Sequence, residues 1–485
     1  MQTFETASPD ACPVGITARS QNPPLAGRVK GVAVASFDAI VIGAGPGGEV
    51  AAGKLAEAGQ RVAIVERERV GGECAYWACI PSKVLLRSAQ PSFDARRVPG
   101  SRAAMTGASA FAEAAAWRTD VVDNYSDSEH LGWLLDRGVQ IIRGAAQLQD
   151  ARHVFVDGVA HTCEHLVIAT GSVPSQPPIE GLADTPFWTN RQATSLTSLP
   201  DSIAILGGGA VGVELAQVYA RYGSRVDIFE RAPHLLAEED PEIAHCVEES
   251  LQSDGVNVHC GVSVTAVSHD GHAFALVAGD QQRSAEQLIV AAGRTANSAG
   301  LNLQSAGVTL DKRGAIIIDA ACKAAESVYA VGDVTGVAMF THVAKYQGSI
   351  AAQSILGKPA RARYDAVPHC TFTDPEIASA GMTEHQAREA GIQARAVVVE
   401  LSEVARPITY YDAGGAKGRA TLVMDAATGQ LVGGALAAPN ASEYIGLIAT
   451  VIHLGARVGD LSELILPFPT FSEIFHVAAE RLCSA

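Results

Sequence analysis

The stretch Phe37-Asp38-Ala39-Ile40-Val41-Ile42-Gly43-Ala44-Gly45-Pro46-Gly47-Gly48 runs from a short apolar segment of strand type straight into G-x-G-x-x-G, with glycines at Gly43, Gly45 and Gly48. Residues 49–59 then carry helical periodicity, and a second apolar segment, Arg61-Val62-Ala63-Ile64-Val65, ends in Glu66. Glycines of this kind let backbone at a helix N-terminus approach a pyrophosphate, and an acid closing the second strand accepts hydrogen bonds from a ribose diol. Taken alone the motif is weak, because a tight turn uses the same residues. It recurs, however. Asp201-Ser202-Ile203-Ala204-Ile205-Leu206 leads into Gly207-Gly208-Gly209-Ala210-Val211-Gly212, a helical pattern through Tyr222, and Val226-Asp227-Ile228-Phe229 ending in Glu230. The acid follows the first glycine by 23 positions in both copies. Two dinucleotide sites on an α/β fold are therefore expected.

Between the copies lies Gly71-Gly72-Glu73-Cys74-Ala75-Tyr76-Trp77-Ala78-Cys79-Ile80-Pro81-Ser82-Lys83. Cys74 and Cys79 follow a Gly-Gly turn and precede a segment with helical apolar spacing. On one helical turn their sulfurs would reach disulfide distance after a small backbone adjustment. A thiolate there gains from the positive end of the helix and becomes a working nucleophile. Zinc would need a second ligand pair at suitable spacing, and none follows, so no metal is expected. A dithiol between two dinucleotide sites is arranged for electron transfer.

The remaining composition narrows the class. A chain of 485 residues exceeds one core, and 48% apolar with 18% charged residues suits a folded protein. A net charge of −16 opposes nucleic acid and anionic membrane surfaces. No apolar run is long enough to span a bilayer. Nine scattered cysteines are unlike a secreted disulfide scaffold, and one catalytic dithiol with the rest reduced fits a cytoplasmic location. Residues 1–36, including Cys12, read as a loosely ordered tail without the pattern of a signal peptide. The aromatics Trp117, Tyr125 and Trp133 read as packing residues of a mainly helical stretch.

The dithiol string, together with Leu166–Ser172, Ile289–Thr295, Val328–Val334 and Val367–Glu376 in order, resembles the class I pyridine nucleotide-disulfide oxidoreductases. That family includes dihydrolipoamide dehydrogenase, glutathione reductase and mercuric reductase. The resemblance implies an FAD-binding domain over 37–170, an NAD(P)-binding domain over 171–293, a return to the FAD and central domain over 294–362, and an α+β dimerisation domain over 363–485. It implies FAD at Gly43, Gly45, Gly48, Glu66, Gly72, Lys83, Thr170, Gly171 and Asp333, and NAD(P) at Gly207, Gly209, Gly212, Glu230 and Gly293. Cys79 becomes the flavin-proximal sulfur and Cys74 the exchange sulfur. Lys83 stands beside the flavin, paired with Glu214. The protein would act as a homodimer on a small-molecule acceptor. Glu230 favours NAD(H) over NADP(H), because an acid repels a 2'-phosphate, although Arg231 follows at once.

One departure bears on the substrate. Disulfide reductases of the family carry His-Pro-Thr with a Glu three residues on, the His being the general acid/base. This chain reads Pro467-Phe468-Pro469-Thr470-Phe471-Ser472-Glu473. Glu473 is kept, but Phe468 transfers no protons. General acid/base catalysis is typically worth 10²- to 10⁴-fold, so the expected acceptor is a quinone or an unusual disulfide. A dihydrolipoamide dehydrogenase-like or mercuric reductase-like enzyme and a flavoprotein redox sensor are the alternatives. His476, on the helix that follows, is a remote candidate for the missing base, and a single Cys483 only echoes a terminal metal-delivering pair.

Overall fold

A computed structural model describes residues 35–105, 107, 109–412 and 415–484. Cys12 and nearly all of the segment read as a tail lie outside the described residues. Strand β1 spans Ala35–Ile42, so it begins two residues ahead of the expected start at Phe37.

Around β1 the chain builds a mainly parallel sheet. Strand β2, Val62–Glu66, pairs on one side of β1 and Val159–Ile168 on the other. Ile42 stands level with Val65 and with Ile168, and Ile168 stands level with Ala330 of the strand Val328–Ala330. This register has a functional result: Gly43, Glu66, Thr170, Gly171 and Asp333 all emerge at one carboxyl edge. The chain leaves β1 to one side and returns to the other, a switch point where open α/β sheets bind ligands.

The second unit repeats the logic on a smaller parallel sheet. Its strand order is Asn257–Cys260, Arg225–Glu230, Ser202–Leu206, Gln287–Val290. Leu206, Phe229 and Val290 are level, so Gly207 and Glu230 share an edge. A third unit is a five-stranded antiparallel sheet beginning at Pro368–Thr371, with the helices Ala441–His453 and Glu473–Ser484 contributing to its apolar core. Phe471, Ile474 and Phe475 are buried in that core.

The glycine spacings follow from close packing in both copies. A Cβ on Gly43 would lie 2.4 Å from the Ala169 carbonyl oxygen, and one on Gly48 would lie 2.0 Å from that of Gly43. At Gly207 and Gly212 the same clashes recur, at 2.4 Å from Ala291 and 2.0 Å from Gly207. No side chain fits between strand and helix at these four positions.

Candidate active site

The dithiol segment is not one continuous helical turn, as its sequence suggests. After helix α1, Pro46–Glu57, helix α2 spans Gly72–Tyr76 and helix α3 spans Cys79–Arg97, with Trp77 and Ala78 outside helical geometry between them. The reason is geometric: five positions on an unbroken helix turn a side chain well over a third of a revolution away and raise it ~7.5 Å. The break lets both sulfurs face one hydroxyl. Thr341 Oγ1 donates to Cys74 Sγ at 3.0 Å and lies 3.6 Å from Cys79 Sγ. Pro81 falls in the first turn of α3, where a missing N–H costs no hydrogen bond.

Both cysteines are free thiols here, and their environments separate them. A hydrogen bond from Cys74 pulls the Cys79 thiol down to about 6 against the opposing effect of burial, with help from Thr341 and Lys83. The same contact with Cys79, added to burial, pushes Cys74 up. The contact therefore favours the proton on Cys74 and the negative charge on Cys79.

Lys83 Nζ lies 2.8 Å from Glu214 Oε2 and 3.0 Å from Oε1. Glu214 is buried on the helix Ala210–Tyr222 and also accepts from the Phe372 N–H at 2.9 Å, while Lys83 lies over the Phe372 ring. One carboxylate thus ties α3, the second dinucleotide unit and the third unit together. Phe372 had no functional sign in the sequence beyond its place in the Val367–Glu376 segment.

A cleft of about 320 Å³ runs from Cys74 and Thr341 past Gly72, Thr170 and Asp333 to Glu66. Asp333 accepts from Ser172 Oγ at 2.6 Å, and Arg294 Nε donates to that hydroxyl at 2.7 Å. Glu66 accepts from the N–H groups of Ala44 at 2.8 Å and Glu68 at 2.7 Å. In the second unit Glu230 accepts from Gly208 and Ala232, each at 2.7 Å. Each carboxylate keeps free lone pairs for a ribose.

The residues fit a dinucleotide. A Cβ on Gly45, or on its counterpart Gly209, would meet no protein atom within 4 Å. These two glycines keep open a space that the protein does not fill. Each caps a helix, beginning at Pro46 and Ala210 respectively, whose first N–H groups have no side-chain cap and so are available to a phosphate. Gly72 adopts φ +67° with a would-be Cβ 2.8 Å from Gly45 Cα, which presses the dithiol segment against that loop.

Several supporting residues carried no sequence signal. Asn190 Nδ2 donates to the Trp77 carbonyl at 2.8 Å, Thr194 Oγ1 donates to it at 3.2 Å, and Arg191 pairs with Glu73. They lie on the short helix Asn190–Ser195, closed at its start by a Thr189/Gln192 capping box. The helix's last carbonyls accept from Arg118, which is 1% exposed and bonds Thr194, Ser195 and Leu196. Tyr125 stacks on Trp77 and Trp133 packs its ring against Gly53, as packing residues should, whereas Trp117 is 45% exposed. Arg118→Ala is expected to cost about 2–3 kcal/mol, since charged donors leave buried carbonyls unpaired. A lowered thermal midpoint, with slower reduction through the loosened Trp77 break, is the readout.

The carboxy-terminal segment stands apart within one chain. Phe468 is 76% exposed, and Glu473 accepts from the Thr470 N–H at 3.0 Å. Neither residue lines the cleft that holds Cys74. His476 pairs with Glu480 on its own helix and is not in the cleft either.

Comparison with known proteins settles the family. Residues 37–348 match the pyridine nucleotide-disulphide oxidoreductase family, and residues 367–479 match its dimerisation domain. The chain belongs to the pyridine nucleotide-disulphide oxidoreductases. It is 36% identical over 458 residues to a dihydrolipoyl dehydrogenase of Chlorobaculum tepidum, covering 92% of this chain and 97% of the relative. It is 33% identical over 451 residues to a mercuric reductase of Staphylococcus aureus, covering 91% and 82%. The structure of the HOCl-induced flavoprotein disulfide reductase RclA from Escherichia coli superposes with a TM-score of 0.80 at 30% identity, covering 92% of this chain and 99% of that one.

This pyridine nucleotide-disulphide oxidoreductase is accordingly a flavin-dependent enzyme of a family that uses FAD and pyridine nucleotides, and its dimerisation domain supports a homodimer. Among the described residues no helix is long and apolar enough to cross a membrane, and no group of three His, Cys, Asp or Glu is placed to hold a metal.

Proposed function

We propose that this oxidoreductase carries electrons from NADH to the Cys74–Cys79 pair and on to a small acceptor that needs no protonation by an imidazole. Acceptors of that kind are a disulfide with acidic leaving thiols or a quinone. The observation that carries the reading is the dithiol itself: both sulfurs meet one hydroxyl, Thr341, with Lys83 beside Cys79 and with Cys74 at the end of the cleft that Gly45, Thr170 and Asp333 also line. FAD, held at the residues around Gly45 and Asp333, would relay electron pairs between nucleotide and dithiol.

The chain's own residues then divide the work. Lys83, anchored by Glu214, keeps a cation beside Cys79. With a disulfide acceptor, Cys74 passes its proton to the Cys79 sulfur beside it and attacks one sulfur of the acceptor; the first thiolate departs, and Cys79 releases the proton to solvent. Cys79 then attacks Cys74 in the mixed disulfide, the second thiolate leaves, and Cys74–Cys79 closes. Leaving thiols of low pKa depart without a proton donor, which suits a segment where Phe468 replaces the family's histidine. Glu230, fixed by two backbone donors, supports NADH over NADPH through its charge.

The test is oxidation of NADH and NADPH by the FAD-loaded protein with an aromatic disulfide, a benzoquinone, lipoamide, glutathione disulfide and mercuric ion. The first two are expected to exceed lipoamide and glutathione disulfide by about 100-fold, the low end of acid/base contributions. Lipoamide turnover equal to that of the aromatic disulfide overturns the reading, and reduction that stops after one equivalent supports a redox sensor instead. Phe468→His is expected to raise lipoamide reduction about tenfold to 100-fold and leave the aromatic disulfide unchanged.

A further inference from the structure

The helix Thr341–Ile355 begins at the residue whose hydroxyl touches both sulfurs. Positions four apart lie on one helical face, so Lys345 stands one turn along the face that meets the dithiol, and it is exposed. The other charges around this segment are matched. Lys83 pairs with Glu214, His130 with Glu49, and Arg191 with Glu73 and Glu68. Arg69 donates to the Tyr125 carbonyl and lies over the rings of Tyr76 and Trp77. The Lys345 ammonium makes no ion pair or hydrogen bond among the described residues. Its charge reaches the dithiol all the same: after the Thr341 hydroxyl, Lys345 is the group that draws the Cys74 thiol back down against Cys79 and burial. It also opposes protonation of His130.

We propose that Lys345 makes the approach to Cys74 selective for acceptors carrying a negative charge close to the reacting atom, such as an aromatic disulfide bearing carboxylates. The inference rests on the reading that the acceptor is reduced at Cys74. A protein of net charge −16 repels anions at long range, but beyond about 8 Å that field is screened in physiological salt. An unmatched cation one helical turn from the residue that touches the exchange sulfur acts at short range, so the last step of approach favours the anion that the rest of the surface discourages.

The test uses two alkylating reagents of one reactivity and different charge. The FAD-loaded protein, reduced with NADH, is treated with iodoacetate or iodoacetamide, and modification of Cys74 is followed by peptide mass. Both reagents attack the same thiolate, so the ratio of their rates cancels any change in thiol pKa and reports local potential alone. Lys345→Gln is expected to lower the iodoacetate to iodoacetamide ratio about threefold to tenfold, as expected for removing one charge at close range in a largely aqueous site. Lys345→Glu lowers it further, Lys345→Arg preserves it, and 0.5 M salt narrows the difference. A ratio that Lys345→Glu leaves unchanged overturns the proposal. Turnover of charged and neutral disulfides by Cys74→Ser is measured alongside. If turnover survives, reduction at Cys74 fails as a reading, whereas its loss together with an unchanged alkylation ratio overturns only the charge preference.

Discussion

Cys74→Ser is expected to lower disulfide reduction about 10³-fold or more while FAD remains bound, because it removes the thiol proposed to attack the acceptor and leaves the glycine-rich loops intact. The companion Cys79 should keep most of its acidity in this variant, since a serine hydroxyl still donates to the thiolate. Cys74→Ala removes that donor, which is the largest cause of the lowered Cys79 value. The sign follows: a hydrogen bond to the charged form favours it, so its loss moves Cys79 upward from about 6. The pH dependence of Cys79 alkylation in the two variants is the measurement. Coincident profiles for serine and alanine would refute the assigned cause.

Asp374→Ala is expected to destabilise the protein by about 3–5 kcal/mol, the range for removing one partner from a buried ionic network. Its carboxylate is 8% exposed and lies 2.7 Å from both Arg97, the last residue of α3, and Arg221 of the Ala210 helix. Arg221 in turn holds Asp254 at 2.7 Å, and Gln217 brackets the Asp374 backbone. Loss of this carboxylate leaves Arg221 buried with one acid in place of two, and α3 loses its hold on the third unit. Burial raises the Asp374 carboxyl, but Arg221 and Arg97 overcome it and the net shift is downward from 3.8. A depressed folded value stabilises the protein above the unfolded pKa, and that stability is lost as pH falls through the folded value. Acid unfolding of the wild type should therefore include a component below pH 3.8 that Asp374→Asn lacks. Identical acid limbs for the two proteins would count against the network.

Much of the geometry of the two glycine-rich loops is legible in the sequence because its constraints are local. Gly43 and Gly48 sit where a methyl group would strike a carbonyl, and a strand followed by a helix with that spacing has few other solutions. Glu66 and Glu230 were readable for the same reason, each closing a strand beside its loop. The Lys83–Glu214 contact was reached only through resemblance, since the two residues are 131 positions apart. The C-x4-C pair reads as one turn because nothing local at Trp77 and Ala78 announces a break. That break is held from outside, by Asn190, Thr194 and the buried Arg118.

What the amino-acid order determined by itself is therefore the list of parts: two glycine-rich loops, two acids, two cysteines and a third unit in sequence. Short-range sterics and periodicity carry that information, and both are written in neighbouring residues. What only the tertiary structure decided is the state of the parts. Cys79 is the more acidic thiol, Cys74 lines the cleft, Lys83 is matched and Lys345 is not, because each outcome depends on burial and on charges contributed by residues far along the chain. Coulomb and hydrogen-bond energies depend on distance in space, and the folding of the chain sets that distance.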